Sequence, residues 1–544
     1  YEVTTCVTLY LMDTADVSPM HPRRWGSTQR AAKLPPEALA LVELAFGPAD
    51  DVIGDPADTT INDNALSPSS LNDQALDGLR ACLGVNHVLT DAQSRASHTR
   101  GKSTPDLLRA RADDLVDAPD AIVRPASHDE VTAIIEWAGQ HGVAIVPFGG
   151  GTCVTGGLVA RREGHSAIVS LDLTRMKRLI EVDHESMTAT LEPGLRGPEA
   201  EALLAEHGLT LGHFPQSFEY ATIGGFAATR SSGQSSAGYG RFDAMVVGLR
   251  IATPIGELTL GSAPATAAGP DLRQVILGSE GAFGVITGVR VRVRRLPEEL
   301  SYEGWSWPDF NSGARAIRTL AQSGHLPTVI RLSDEVETAI NLADPEGIGS
   351  DNLGGCLMIV GHEGTSQDVA RTSSLTTELL SDLGGSALGS TPGQKWSHGR
   401  FDAPYLRDSL LDVGVFVETL ETATFWSNRQ ALYDAVTQAL REHLPEKHLV
   451  LCHISHVYET GCSLYFTVAT KFPDDAMTSW HEAKSAVNDA IASAGATITH
   501  HHAIGTDHKP WLAKEVGPVG QSILRAIKQE LDPDGIMNPG VMIP

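Results

Sequence analysis

Between residues 118 and 297 the chain carries three loops of glycine and small hydroxyl residues, and these limit the fold more than any other feature. GGGTCVTGG (residues 149–157) directly follows the apolar run AIVPF. TIGGFAATRSSGQSSAGYGRF (residues 222–242) and ILGSEGAFGVIT (residues 276–287) follow at wider spacing. Glycine lets main-chain N–H groups approach a phosphate closely and supplies the positive φ angles of an anion nest. The first loop is neither GxGxxG leading into a long helix nor a Gly-Lys-Ser/Thr loop, so a Rossmann fold and a P-loop are poor matches. Alone it could be a tight turn; three such loops predict a large phosphate-bearing ligand lying along backbone, with a dinucleotide as the natural candidate.

The surrounding pattern is α+β. A helix is expected over residues 129–141, with Ser127 as N-cap and Glu130 completing a capping box, and a strand over 144–147. Short strands follow in AIVSLDL, MTATLEPG, MVVGLRIATPIGELTL and GVITGVRVRVRRLP. In the last, Val289, Val291 and Val293 alternate with Arg290, Arg292 and Arg294, the period of a half-buried strand. Residues 298–499 mix helices with strands such as CSLYFTVATKF and read as a second α+β domain. Residues 1–117, rich in Asp, Pro, Ser and Ala, read as an irregular, partly helical leading region with little chemical signal. Residues 500–544 form a tail with three successive histidines and an amphipathic helix.

Taken together, the PFGGGT loop, the IGG…SSG loop and the GSEGxxGVIT segment resemble the FAD-binding domain of vanillyl-alcohol-oxidase/D-lactate-dehydrogenase flavoproteins. The resemblance implies a two-domain α+β flavoprotein: a PCMH-type FAD-binding domain at 118–297 and an α+β substrate (cap) domain at 298–499. It implies FAD held by Pro147, Phe148, Gly149, Gly150, Gly151, Thr152, Cys153, His213, Gln216, Ser217, Thr222, Thr229, Ser231, Ser232, Ser279, Glu280, Gly281, Gly284 and Ile286.

Over roughly residues 118–538, GHFPQS, PTVIRLSD, YLRD, VETLETATFW, SLYFTV, THHHAIG and DHKPWLAKEVG are similar to the alkyldihydroxyacetonephosphate synthase family. That family exchanges the acyl group of acyl-dihydroxyacetone phosphate for a long-chain alcohol in ether-lipid synthesis, without net redox change, through a link between flavin N5 and substrate C1. The resemblance implies that Tyr465 donates and accepts the proton and that Arg407 and Arg331 bind substrate. It assigns His500, His501 and His502 to phosphate and proton handling. The alternative on the same scaffold is an FAD-linked oxidoreductase of a D-2-hydroxy acid or related alcohol. Gly505 is followed by Thr506 and Asp507 where the family usually carries a lysine, which predicts a differently built phosphate pocket.

Three adjacent histidines also raise the question of metal. In an extended segment His500 and His502 would share one face and His501 the other, and His453 and His456 could add ligands. There is no HExxH motif and no acidic neighbour to orient the rings, so no metal is expected.

Composition bounds the partners. With 41 Lys and Arg against 67 Asp and Glu, the formal charge is −26, which disfavours nucleic acid. An anionic substrate, bearing phosphate or carboxylate, then needs a local basic pocket. The six cysteines are scattered without a CxxC pair, which with the absence of a signal-peptide pattern predicts a reducing, cytoplasmic setting. Peripheral membrane contact for a lipid substrate, and a homodimer, are left open.

Overall fold

The computed structural model describes residues 19–50, 55–341 and 355–544. Its first half rests on two sheets. One has four strands in the order Val88–Leu89, Ala121–Val123, Ala167–Asp172, Val143–Phe148, the last three parallel. Their near-continuous apolar runs are what a sheet covered on both faces requires. Helix His128–His141 makes the crossover, burying Val131, Ile134, Ile135 and Ala138. Its start is close to expectation. The Ser127 hydroxyl accepts the Glu130 N–H at 3.2 Å, but the Glu130 carboxylate takes the N–H of Ala126 at 2.7 Å, one residue earlier than a regular box.

The second sheet is antiparallel, ordered Leu179–Asp183, Thr188–Leu191, Val285–Arg292, Val246–Thr253, Gly256–Leu260. Val289 and Val291 are fully buried and Arg292 is exposed, following the predicted alternation.

The second half is built on a seven-stranded antiparallel sheet. Its order is Ser386–Gly389, Glu299–Trp307, Cys356–Gly364, Val329–Ser333, His448–Ile454, Gly461–Thr470, Phe416–Phe425. Ile330, Leu332, Cys452, Ile454, Leu464 and Phe466 point into a core shared with helices Phe310–Ser323, Arg429–His443 and Ala476–Ser493. Because strand side chains alternate, Arg331, His453 and Tyr465 fall on the opposite face, toward the first half.

Two segments from outside residues 118–297 dock on the four-stranded sheet. Leading residues Val88–Leu89 pair with Ala121–Val123 as an edge strand, so the described part of this region is more ordered than its composition suggested. At the other end, Ile145 donates to the Ile536 carbonyl and accepts from Asn538 N–H, both at 2.8 Å. This lays the tail along the strand that feeds the first glycine loop. The five described cysteines are all free thiols. Among the described residues no helix is long and apolar enough to cross a membrane.

Candidate active site

Strand Val143–Phe148 delivers the chain into the first glycine loop, which presses against the segment before Thr222. A Cβ on Gly150 would stand 1.9 Å from the Tyr220 carbonyl oxygen, and one on Gly149 would stand 2.4 Å from the Thr222 hydroxyl. Only glycine fits there. The three loops and the inner face of the seven-stranded sheet enclose one cavity of about 400 Å³. Its wall includes Pro147 to Cys153, Gln216, Ser217, Thr222, Thr229, Ser231, Ser232, Glu280, Gly281, Gly284 and Ile286. Arg331, Arg407, Tyr465, His501 and His502 reach the same space from the other side. The glycine cradle and the buried, unpartnered Nε2 of Gln216 suit FAD, whose phosphates need close main-chain approach and whose polar edges need donors.

Three expected site residues do not reach the cavity. His213 lies behind the wall, its Nε2 3.0 Å from the Ser231 hydroxyl and its ring packed against Phe226 and Phe242. Burial lowers its pKa to about 3, so it acts as a neutral prop for Ser231. Ser279 is buried in the turn before Glu280, its N–H donated to the Ile276 carbonyl at 3.1 Å. His500 turns away toward Tyr458, whose hydroxyl is 2.6 Å from its Nε2.

The histidine segment is not extended, and the expected alternation fails for a specific reason. Glu421, buried on strand Phe416–Phe425, accepts N–H bonds from His500 at 2.7 Å, His501 at 3.1 Å and His502 at 2.9 Å, and a hydroxyl bond from Thr499. Three successive N–H groups aimed at one carboxylate curl the backbone, which turns His501 and His502 together into the cavity. Burial opposes ionisation of Glu421, yet His501, His502, His500 and the Thr499 hydroxyl hold its carboxyl well below the ordinary range.

A second carboxylate pins the same segment from the first half. Glu280 accepts the N–H groups of Ile504 and Gly505 at 3.0 Å. Gly505 has φ 56, and a Cβ there would lie 1.8 Å from the Thr155 carbonyl.

Tyr465 sits directly across from Glu421 on one neighbouring strand and His453 on the other. Its ring stacks on His453 at 4.8 Å and meets His502 edge-on at 5.5 Å. Burial pushes its phenol up to about 12. His453 is held in turn by Arg331, at 2.9 Å from Nδ1, and Arg331 pairs with Glu337 at 2.5 Å.

Asp507, which with Thr506 follows Gly505 where a lysine was expected, does not line the cavity. It is paired with Lys484 at 2.7 Å.

His456, Glu337 and Lys102 also line this cavity and Glu421 shapes it from behind; of these the sequence singled out only His456, as a possible metal ligand. Glu421 had a signal, since two glutamates three apart sit in a strand otherwise made of apolar and threonine residues. Lys102 and Trp25 had none, because only the tertiary fold brings the leading region to the cavity. Ring nitrogens of His456, His500 and His501 lie within 4.8 Å of one another, while His453 is diverted to Arg331. The acidic neighbour thought missing is present as Glu421, 3.5 Å from His501 Nδ1. These rings also satisfy one another and nearby hydroxyls: His456 Nδ1 is 2.7 Å from Ser236, and His500 Nδ1 is 3.0 Å from His501 Nδ1.

Comparison with known proteins agrees with this geometry. A model for an FAD binding domain matches residues 119–261, and one for the C-terminal domain of FAD linked oxidases matches residues 296–542. The alkyldihydroxyacetonephosphate synthase of Dictyostelium discoideum is 35% identical over 491 residues, covering 86% of this chain and 80% of that protein. The chain belongs to the alkyldihydroxyacetonephosphate synthase family. The Trypanosoma brucei brucei member is 34% identical over 88% of this chain and 82% of its own length. A solved alkyldihydroxyacetonephosphate synthase structure superposes with a TM-score of 0.79 at 30% identity, covering 96% of this chain and 98% of that one. Like its family, the chain is an FAD-dependent enzyme acting on a small-molecule substrate.

Proposed function

We propose that the chain carries out the reaction its relatives are named for, exchanging the acyl group of an acyl-dihydroxyacetone-phosphate-like substrate for a long-chain alcohol in ether-lipid synthesis. The observation that carries this reading is the meeting of Tyr465, His501, His502, Arg331 and Arg407 across one cavity from the three glycine loops. Bound FAD would supply, between those loops, a redox-neutral electron reservoir for substitution at substrate C1.

The side chains do the rest. The C1–O bond to the acyl group breaks and its carboxylate leaves; the alcohol oxygen bonds to C1 and its proton must be taken up. Burial lowers the pKa of both His501 and His502, which leaves either ring able to accept that proton. Glu421 lies where it would stabilise the imidazolium formed on His501, the role a carboxylate plays behind a catalytic histidine. Tyr465 stays protonated at neutral pH and serves as donor to a leaving or enolising oxygen. Arg331 and Arg407 offer forks suited to oxyanions in an otherwise acidic protein. Long alkyl chains would be collected at a membrane surface, and the free thiols suit a reducing cytoplasm.

The test is incorporation of labelled hexadecanol into acyl-dihydroxyacetone phosphate by purified FAD-loaded protein. Exchange without flavin bleaching is expected. Anaerobic bleaching by a D-2-hydroxy acid with no exchange would replace this reading with the oxidoreductase one.

A further inference from the structure

The cavity has a cationic end where Arg407 of the YLRD segment meets two residues of the leading region. Lys102 lines the cavity beside Trp25 and Arg407. Its main chain is docked on the first glycine loop: Lys102 N–H donates to the Cys153 carbonyl at 2.7 Å. A Cβ at Gly101 would lie 1.9 Å from the same oxygen. The Lys102 ammonium donates to the carbonyls of His21 at 2.7 Å and Pro22 at 3.1 Å. An ammonium carries three donors, so one is spare. Burial lowers it to about 8, leaving it mostly charged at neutrality.

Its two neighbours are also short of acceptors. Trp25 is 4% exposed, and its indole Nε1 has no partner among the described residues. Arg407 donates from Nη1 to the Lys102 carbonyl at 2.6 Å and from Nε to Asp408 at 3.2 Å. Its Nη2 is 3.1 Å from Asp408 but off hydrogen-bond geometry, and it is buried without an acceptor. Two buried carboxylates border these donors, Asp408 against Arg407 and Glu418 on the cavity wall. Asp408 also accepts the Trp25 main-chain N–H. Glu418 takes the N–H groups of Thr104 at 2.6 Å and Thr419 at 2.8 Å. Buried donors without acceptors are costly. Two such donors, Trp25 Nε1 and Arg407 Nη2, together with the third N–H of the Lys102 ammonium, match an oxyanion with several acceptor oxygens.

We propose that Trp25, Lys102 and Arg407 form the seat of the substrate's phosphate group, making the leading region part of the active site. The inference rests on the proposed function for the identity of the substrate; the seat's chemistry, an oxyanion held by three donors, does not. The same chemistry could serve the FAD pyrophosphate, and the test separates the two.

Lys102→Met and Trp25→Phe are each purified, with folding checked by thermal unfolding and FAD occupancy by flavin absorbance. KM is then measured for acyl-dihydroxyacetone phosphate and for unphosphorylated acyl-dihydroxyacetone. Loss of one charge-assisted bond predicts a KM for the phosphorylated substrate raised about 10- to 100-fold in Lys102→Met. FAD occupancy and the KM for the unphosphorylated substrate are expected to stay as in wild type, and Lys102→Arg should restore part of the loss. Titration of the flavin spectrum with dihydroxyacetone phosphate, and with inorganic phosphate, reads the seat without turnover. Weaker binding in Lys102→Met supports it even if acyl exchange itself fails. Loss of FAD with normal KM in the residual holoenzyme would assign the seat to the cofactor and overturn the proposal. Equal KM changes for both substrates, or unchanged phosphate binding, would overturn it as well.

Discussion

Replacing Glu421 by glutamine tests the central claim about the histidine segment. The carboxylate takes three main-chain N–H groups and the Thr499 hydroxyl. Glutamine keeps one acceptor oxygen but turns an NH2 toward N–H groups that need an acceptor. Hydrogen bonds to a charged group are worth roughly 1.5–3 kcal/mol each, and removing one partner strands the other. With one oxygen's share retained, the net loss is about 3–5 kcal/mol, the range for breaking a buried charged contact. For a unit the size of the second half this corresponds to a fall of roughly 10 °C in the unfolding midpoint.

The pH dependence carries its own sign. The folded-state pKa of Glu421 lies below its ordinary 4.5. The carboxylate therefore stabilises the fold fully above that value, and the contribution is lost as pH falls toward the folded pKa. The gap in midpoint between wild type and Glu421→Gln should be widest near neutrality and narrow below about pH 4.5. Turnover should fall about 100-fold, because uncurling the segment displaces His501 and His502 by the order of an ångström. Scanning calorimetry and the alcohol-exchange assay read both quantities. A Glu421→Gln variant with wild-type midpoint and wild-type turnover would refute the reasoning outright.

Tyr465→Phe should retain FAD and lose turnover by roughly three orders of magnitude or more; normal exchange in that variant removes Tyr465 from its role. Gly150→Ala should fold poorly or purify with little flavin absorbance, since its Cβ would meet the Tyr220 carbonyl at 1.9 Å; full FAD occupancy would show that the loop yields more than its packing suggests. Arg331→Lys cannot hold both His453 and Glu337, which leaves Glu337 buried with less compensation. Stability should drop by about 2–4 kcal/mol in a denaturant titration, with turnover falling alongside. Dialysis against a chelator should leave exchange activity intact, and elemental analysis should find well under one equivalent of transition metal. A stoichiometric metal whose removal stops turnover would make His456, His500 and His501 a metal site.

Much of this molecule could be read from its residues before any coordinates. Periodicity placed helix His128–His141 to within a residue, and it separated the two faces of strand Val285–Arg292. The glycine loops announced a phosphate-bearing cofactor because only glycine permits main-chain approach at that range. Tyr465, Arg331, Arg407, His501 and His502, which line the cavity, were singled out through the order of several motifs, though not through any physical property local to them.

What the residues could not disclose was long-range. His213 and Ser279 sit in the right motifs yet behind the wall, because a loop residue one or two positions away from the cavity looks identical in sequence. The same limit applied to the histidines. Their alternation was argued from an extended segment, and a carboxylate some 80 positions earlier, bonded to His501 N–H, curls the segment instead. The sequence by itself therefore determined the element types, the cofactor class and the family. Only the tertiary structure decided which side chains face the cavity, that Asp507 is neutralised by Lys484, and that the unpromising leading region supplies Lys102 and Trp25. Secondary-structure signals are local and repeat every two to four residues, whereas a buried charge is set by whatever distant group the fold places against it.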